Sequence, residues 1–441
     1  MPRDTSRVAL PLASRQLSCM SRPVHLALAQ LKPRKGDYAH NLERLGQLFA
    51  RLDTESPRPD LLQLPETALT GYFLEGGVRE QAMSAGDLAH DLARVYATAA
   101  PGSRLDVAIG FYEVWEHKLY NSALYVTLGG ESPLIRHVHR KVFLPTYGLF
   151  DEERFVERGQ SIRAFDTEHG RVAMLVCEDA WHSLTGTMAA LDGAELVLVH
   201  AAAPARGVQQ ADDVPGPSSL ARWERLVRDI ADEHGVFVAL AHLAGSEGGK
   251  IFAGGSVLVG PKGELRVRAP LWEEAVATAT MDLGDLTRAR ADLPLLADLE
   301  TMMPHMTANL ARVIAREPVR AAYDDATEGG SDADKESGAK LQARGARPEH
   351  HDRISPASAH KPSTASTGGS FRVLRADSNG GPPPLDIDPA LIEQWLVHFV
   401  REELTARGFG RALVGVSGGV DSAVTAAIAA RAVGPENVIG V

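Results

Sequence analysis

Cysteine, excess basic charge and long apolar runs are all scarce in this sequence. Its 441 residues include two cysteines, Cys19 and Cys177, and neither has a CxxC or histidine-spaced companion that would indicate a zinc site or a disulfide framework. The formal net charge of −11 excludes a general electrostatic attraction to nucleic acid or to an anionic membrane. No run of about 18 apolar residues occurs, and the N-terminus lacks the continuous apolar core of a signal peptide. We therefore expect a cytoplasmic enzyme whose partners are small molecules.

The chain is long enough for one large domain with an ample core and for further domains beside it. From residue 24 to residue 283, short β-rich runs alternate with helical patterns, and turn residues separate them. This alternation predicts an α/β fold whose sheets are covered by helices on at least one face. Strands are expected at 24–30, 61–65, 105–112, 122–128, 171–177, 194–201, 235–242, 254–260 and 275–281, and helices at 40–53, 86–99, 184–192 and 218–234.

The same pattern divides the chain into five segments. Residues 1–22 are expected to be a disordered extension, 23–300 the large domain and 301–321 a helical tail. Residues 322–384 are so rich in Ser, Gly, Pro and charged side chains that they predict a disordered linker. Residues 385–441 begin a new piece, in which a helix behind Asp388 is followed by the strand RALVGV, the loop GVSGGVDS, a second helix and the start of a second strand.

Three reactive side chains follow predicted strands of the large domain. They are Glu66 in LPETALTGY, Lys141 in RKVFLP and Cys177 in CEDAWH. A cysteine thiolate is a strong nucleophile but needs a base or a cation beside it. A glutamate could take the thiol proton and a lysine could stabilise an oxyanion, so the three groups together would suit acyl transfer at an amide or nitrile. Taken singly, each has a plainer reading: a buried small apolar residue for Cys177, a capping partner for Glu66 and a solvated edge residue for Lys141.

The three blocks resemble the signature blocks of the nitrilase, or carbon-nitrogen hydrolase, superfamily in their usual order. That resemblance covers residues 24 to 283 and implies an α-β-β-α sandwich. It also implies that Glu66 is the general base, Lys141 the oxyanion stabiliser and Cys177 the nucleophile. By the same resemblance, Glu152 orients the lysine, with its neighbour Glu153 as the fallback. The backbone N–H of Glu178 would complete the oxyanion hole.

Within that superfamily, LTGY and LPTY resemble the glutamine-hydrolysing branch that is fused to NAD synthetases. The resemblance implies that Tyr72 and Tyr147 line the amide pocket. Such glutaminases usually carry a serine where this chain has Ala203, and a pocket that leaves a polar group of the substrate unpaired binds it poorly. Arg206 is our candidate for the contact to the substrate carboxylate.

The loop near the end of the chain joins a strand to a helix, which aims backbone N–H groups and a helix dipole at an anion. It resembles the SGGxDS loop of ATP pyrophosphatases, and residues 385–441 resemble the opening of an NAD synthetase domain, the incomplete first piece of a doubly wound parallel sheet. The expected ATP-binding residues are Gly415, Val416, Ser417, Gly418, Gly419, Val420, Asp421 and Ser422. Asp421 is the candidate ligand for Mg²⁺. Because the family's remaining strands do not follow, we expect a fragment.

Both resemblances predict a glutamine-dependent NAD synthetase, a ligase with glutamine, deamido-NAD⁺ and ATP as its small-molecule substrates, and with ATP and Mg²⁺ required only by the synthetase part. We also expect a homo-oligomer. Two alternatives remain: a stand-alone amidase of the nitrilase type acting on another amide, and a non-catalytic regulatory subunit, against which the intact Glu, Lys and Cys argue. The histidines His137, His139, His182 and His242 match no metal-ligand spacing, so solvated or structural roles are expected for them.

Overall fold

The structure is a computed structural model that describes residues 23–207, 210–211, 214–316 and 387–441. The predicted extension at 1–22 and the predicted linker at 322–384 lie outside the described residues. The described residues up to Met303 and from 387 onward belong to one compact unit.

Eighteen strands occur in the described ranges, and two six-stranded sheets take up most of them. In chain order the strands are β1 (Pro23–Gln30), β2 (Leu61–Gln63), β3 (Leu105–Trp115), β4 (Lys118–Leu128), β5 (Leu134–Arg140), β6 (Ala164–Thr167), β7 (Gly170–Val176), β8 (Leu196–Ala201), β9 (Gln210–Ala211), β10 (Val214–Pro217), β11 (Phe237–His242), β12 (Ala244–Glu247), β13 (Lys250–Ala253), β14 (Val257–Val259), β15 (Leu265–Arg268), β16 (Ala275–Asp282), β17 (Ala412–Val414) and β18 (Val438–Gly440). The first sheet has the order β16-β1-β2-β3-β4-β5, and the second has the order β15-β14-β11-β8-β7-β6.

Nine α-helices accompany these strands in the described ranges. They are α1 (Tyr38–Asp53), α2 (Val78–Gln81), α3 (Ala85–Ala99), α4 (Ser183–Leu191), α5 (Ser218–His234), α6 (Gly284–Asp292), α7 (Leu295–Ala315), α8 (Pro389–Ala406) and α9 (Val420–Val433). Among them, α5 begins and ends at the residues that the sequence predicts.

The core has the layers of a sandwich. Leucines and aromatic residues of α1 and α3, among them Phe49 and Tyr96, pack on one face of the first sheet. A second cluster joins side chains of the first sheet such as Leu28 to side chains of the second sheet such as Val172, and includes Trp223 on α5. Helices therefore cover the outer faces of two sheets that pack on each other, and the predicted α-β-β-α sandwich is confirmed.

Most predicted elements differ from the observed ones by one to four residues at one end or both, and two differences have a clear physical cause. The strand expected at 61–65 ends at Gln63, because Pro65 has no N–H to donate to a ladder. The helical tail expected at 301–321 begins earlier, at Leu295, since Leu296 is buried in the core of the sandwich; the helix ends at Ala315.

No helix in the described part of the chain is both long and apolar enough to cross a membrane.

The C-terminal piece has the predicted strand, loop and helix. The side chain of Asp388 caps α8 by accepting from the backbone N–H groups of Ala390 and Leu391, at 2.9 and 3.0 Å. Strands β17 and β18 form a parallel pair beside α9. Helix α8 packs through Leu391 against the sandwich domain, and Glu403 accepts a 2.6 Å hydrogen bond from Ser246 Oγ in β12.

Candidate active site

The three predicted catalytic side chains lie at the carboxyl ends of strands. Glu66 follows β2, Lys141 follows β5 directly, and Cys177 follows β7 directly. Glu66 and Lys141 are fully buried, and only 5% of Cys177 is exposed. Buried ionisable groups require partners, so the arrangement around them decides what this centre can do.

The Lys141 ammonium joins two carboxylates. Its Nζ donates to Glu66 Oε1 over 2.9 Å and to Glu152 Oε1 over 2.7 Å. Glu152 opens the 3₁₀ turn Glu152–Arg154, whereas the fallback residue Glu153 forms a half-exposed ion pair with Arg158. The geometry therefore places Glu152, and not its neighbour, beside the lysine.

Charge balance keeps the lysine protonated. Burial lowers the pKa of Lys141, but the carboxylates of Glu152 and Glu66 raise it further, so that the pKa of this ammonium stands well above its usual value. Burial raises the pKa of the Glu152 carboxyl, and the ammonium opposes that rise. The centre thus offers a fixed positive charge next to Glu66, as an oxyanion stabiliser requires.

The Cys177 thiol is protonated in the resting site. Burial, and after it the Glu66 carboxylate, raises the pKa of the Cys177 thiol well above its ordinary range, against the lowering effect of Lys141. The backbone N–H of Ala202 donates to Glu66 Oε2 over 2.8 Å, and its proximity to the thiol lowers the thiol pKa. The resting pair is therefore a thiol beside a carboxylate, and a base must remove the proton when the reaction begins.

The backbone of Cys177 is strained. Its φ of 48° lies in the left-handed region, which residues other than glycine seldom adopt. The residue opens the 3₁₀ turn Cys177–Trp181 at the end of a strand whose last five residues are buried. Strain of this kind persists only where the surroundings impose it, and it is concentrated at functional sites.

The predicted pocket residues lie around this centre in two groups. The hydroxyl of buried Tyr72 donates to Glu152, which makes it a partner of the carboxylate behind the lysine. Tyr147 is 55% exposed, and its hydroxyl donates to the Glu178 carboxylate over 2.8 Å. The guanidinium of Arg206 lies 5.2 Å from the ring centroid of Phe150, which in turn packs against Tyr147. Ala203 is half-buried and packs against the core.

A cavity of about 460 Å³ adjoins the centre on the side of Tyr72 and Glu152. Its walls are largely aromatic and aliphatic, with Asp151, Arg154 and Lys250 as additional charged residues. Cys177 is not among its lining residues. The cavity therefore approaches the triad from the Glu152 side.

The predicted phosphate-binding loop lies between β17 and α9, and its residues are exposed except for half-buried Ser422. Gly418 has a φ of +82°, which a residue with a Cβ rarely adopts. Gly419 is the N-cap of α9, so no side chain covers the first N–H groups of this helix. The hydroxyl of Ser422 donates to the Gly419 carbonyl over 2.9 Å, which ties the loop to the helix. The first backbone N–H groups of α9 are therefore available to bind an anion.

Comparison with known proteins assigns the sandwich domain to a family. Residues 25–291 match the carbon-nitrogen hydrolases. This chain belongs to the carbon-nitrogen hydrolase family. A second match, to NAD synthase, covers residues 392–441 of this carbon-nitrogen hydrolase. Both predicted family resemblances are confirmed.

The relatives of this carbon-nitrogen hydrolase include enzymes that carry both parts. A glutamine-dependent NAD(+) synthetase of Aquifex aeolicus is 29% identical over 60% of this chain and 44% of its own length. Another, of Thermotoga maritima, is 25% identical over 95% of this chain and 60% of its own length. The solved structure of glutamine-dependent NAD⁺ synthetase from Acinetobacter baumannii, in complex with ADP, is similar in fold, with a TM-score of 0.61 and 20% identity over 95% of this chain and 59% of that one. The chain thus spans about half the length of these relatives.

Several supporting residues of this carbon-nitrogen hydrolase are not evident from the sequence. Asn121 donates to Glu66 Oε1 over 2.7 Å, and fully buried Asp179 accepts from the backbone N–H groups of Val142 and Phe143. Asp179 lies inside the CEDAWH block, so its position in the sequence could have indicated a role at the site. Asn121 lies within a strand, and nothing in the sequence around it indicated such a role. His139 donates to Asp179 over 2.8 Å, which is the kind of structural role that was predicted for the histidines.

Proposed function

We propose that this chain comprises the amide-hydrolysing domain and the first part of the ATP-binding domain of a glutamine-dependent NAD⁺ synthetase. The observation that carries the proposal is the buried centre of Glu66, Lys141, Glu152 and Cys177, on the same chain as a segment that matches NAD synthase. Curated glutamine-dependent NAD(+) synthetases align over most of the chain, which supports the same reading.

The proposed amide hydrolysis proceeds through a thioester. Glu66 removes the thiol proton as Cys177 Sγ attacks the amide carbon, and the carbonyl oxygen becomes an oxyanion. Lys141 Nζ and the backbone N–H of Glu178 stabilise that oxyanion. As the intermediate collapses, the C–N bond breaks and Glu66 returns the proton to the leaving ammonia. Water, deprotonated by Glu66, then attacks the thioester carbon; the C–S bond breaks, Glu66 returns the proton to Cys177 Sγ, and the carboxylic acid, here glutamate, is released.

The polar residues at the mouth of the site suit an amino acid. The Arg206 guanidinium is a candidate partner for the α-carboxylate of glutamine. The Glu178 carboxylate, held by Tyr147, is placed to accept from its ammonium group. Asn121 and Tyr72 hold the two carboxylates behind the reacting groups and do not have to contact the substrate.

The second candidate function is a stand-alone amidase that takes another amide. Ala203 favours it, because a serine hydroxyl usual in the glutamine branch is missing from this chain. The variant Ala203→Ser tests whether residue 203 belongs to a glutamine pocket. If glutamine is the substrate and residue 203 contacts it, the variant should raise kcat/KM for glutamine; an unchanged value would remove residue 203 from the pocket.

The proposed synthetase step uses the loop 415–422. Its N–H groups and hydroxyls would hold the phosphates of ATP, and the exposed Asp421 carboxylate would hold Mg²⁺ together with phosphate oxygens. Bound ATP supplies the activation of a carboxylate, here that of deamido-NAD⁺, so that ammonia can form the amide. A cytoplasmic location and a homo-oligomer stay predictions.

Two variants of the full-length protein test this function. Cys177→Ala should abolish ammonia release from glutamine and leave ATP-dependent NAD⁺ formation from added ammonium intact. Asp421→Ala should do the reverse. Loss of both activities in either variant would contradict separate sites, and normal glutamine hydrolysis by Cys177→Ala would refute the nucleophile.

A further inference from the structure

A buried carboxylate outside the triad lies behind the residues that support it. Glu247 ends β12 and is 4% exposed. Its Oε2 accepts from the backbone N–H groups of Tyr72 and Phe73, both over 2.9 Å. Its Oε1 has no hydrogen-bond partner among the described residues. A carboxylate buried in this way is costly, so the two N–H groups that it accepts are its main compensation.

The backbone beside it is shaped to admit this side chain. Gly71 has a φ of +79°, and a Cβ built there would stand 2.8 Å from Glu247 Oε1. A residue with a side chain at position 71 would therefore push the carboxylate away. The rest of the β12–β13 hairpin holds the same loop, since Lys250 Nζ lies 4.5 Å from the Phe73 ring centroid and Phe252 stacks on that ring at 5.9 Å.

Hydrogen bonds at both ends of Tyr72 connect this carboxylate to the catalytic lysine. Glu247 fixes the backbone of Tyr72, whose carbonyl also accepts from Tyr112 Oη over 2.8 Å. The Tyr72 hydroxyl donates to Glu152 Oε1, which accepts from Lys141 Nζ over 2.7 Å. The position of the Tyr72 hydroxyl depends on its backbone, so the anchor at Glu247 determines where Glu152 holds the lysine.

We infer that Glu247 is a positioning residue for amide hydrolysis, which acts through the Tyr72 backbone on the Glu152–Lys141 pair. The expected change in kcat rests on the proposed function, whereas the expected change in Cys177 alkylation does not. A displacement of the oxyanion stabiliser should lower kcat more than it raises KM, since the lysine acts mainly on the transition state.

The test compares three variants of the full-length protein. Glu247→Leu removes the acceptor for both N–H groups. Glu247→Gln keeps one oxygen as acceptor and places its amide NH₂ where Oε1 has no partner. Glu224→Leu is the matched control, because Glu224 is 5% exposed and accepts from Arg268 over 3.0 Å, away from the loop of Tyr72.

Turnover is expressed per folded protein, quantified from the amplitude of the cooperative unfolding transition, so that unfolded protein does not contribute. Glu247→Leu should lose about 10- to 100-fold in kcat, whereas Glu247→Gln and Glu224→Leu should stay within about threefold of the parent protein. Tyr72→Phe should lose activity as well, and the Tyr72→Phe/Glu247→Leu double variant should lose little more than the worse single variant. A parent-like kcat in Glu247→Leu, an equal loss in Glu247→Gln, or multiplied losses in the double variant would overturn the inference.

The pH dependence of Cys177 alkylation supplies a readout that needs no substrate. A shift of the Glu152–Lys141 pair changes the charges around the thiol, so Glu247→Leu should move the alkylation midpoint and Glu224→Leu should not. If the parent protein hydrolyses no amide, the proposed function fails, and this midpoint alone decides the inference. An unchanged midpoint in Glu247→Leu would then refute it.

Discussion

Replacing Asp179 by alanine removes an acceptor that ties two parts of the active site together. Its Oδ1 accepts from the N–H groups of Val142 and Phe143 at 2.9 Å each, directly after Lys141. Its Oδ2 accepts from Val176 N–H over 3.1 Å, directly before Cys177, and from His139 Nε2 over 2.8 Å. The alanine variant leaves all four donors without this acceptor; the Asp179 side chain is fully buried, and its hydrogen bonds to Val142 and Phe143 are partly buried.

The expected loss of stability follows from those four donors. Each orphaned buried donor costs about 1–3 kcal/mol, and water that enters the vacated space offsets part of the sum. We therefore expect the free energy of unfolding to fall by about 3–5 kcal/mol. For a domain of this size that corresponds to a melting temperature lower by about 6–20 °C. Asp179→Asn is the control, since it keeps one oxygen for the two N–H groups at Oδ1 and should lose only about 1–2 kcal/mol.

The assay combines a thermal or denaturant melt with turnover per folded protein, quantified from the amplitude of that melt. Because the segment after Lys141 and the turn at Cys177 lose their shared anchor, kcat per folded protein should fall by about 10- to 100-fold. A melting temperature within about 2 °C of the parent protein would refute the hydrogen-bond argument. A large loss of stability with unchanged kcat would show that Asp179 stabilises the fold and does not position the reacting groups.

Three further predictions concern the buried charges. Lys141→Met leaves the carboxylates of Glu66 and Glu152 without their shared cation, so kcat should fall by about 10²- to 10³-fold together with the melting temperature; Lys141→Met/Glu152→Gln should regain stability but no turnover. Glu66→Gln should lower ammonia release by about 10²- to 10⁴-fold, yet speed alkylation of Cys177 at neutral pH, because the carboxylate that raises the thiol pKa is gone; slower alkylation would contradict this. Burial raises the pKa of Glu247 from 4.5 to about 7, so the folded protein binds this proton more tightly than the unfolded chain does. The free energy of unfolding should therefore fall by about 3 kcal/mol as the pH rises from about 4.5 to above 7. The pH dependence of unfolding of Glu247→Gln should lack this contribution.

The sandwich and the triad could be predicted because three sequence blocks resemble a known family. Glu66, Lys141 and Cys177 each lie within one of these blocks, and the resemblance implied their convergence, whereas spacing alone did not show that they meet and strand β5 before Lys141 was not predicted. The α-β-β-α layers followed from the resemblance that these blocks support, and the structure and comparisons confirm them.

The supporting residues could not be predicted, because their partners are distant in sequence. Asn121 reaches Glu66 from 55 residues away, and Glu247 reaches Tyr72 from 175 residues away. Nothing near either residue indicates a carboxylate or an open N–H as its partner. Such contacts depend on which strands become neighbours, and the order of strands in a sheet cannot be predicted from local periodicity.

The N–H of Ala202 holds the Glu66 carboxylate, and the same short segment continues through Ala203 to Arg206. Under the proposed function, rate and selectivity would therefore depend on adjacent residues of one chain segment. A substitution that reshapes the mouth to admit a different amide also moves the donor that holds Glu66. Attempts to redesign substrate preference within residues 202–206 should change kcat and KM together, whereas redesign from the Tyr147 side leaves the base in place.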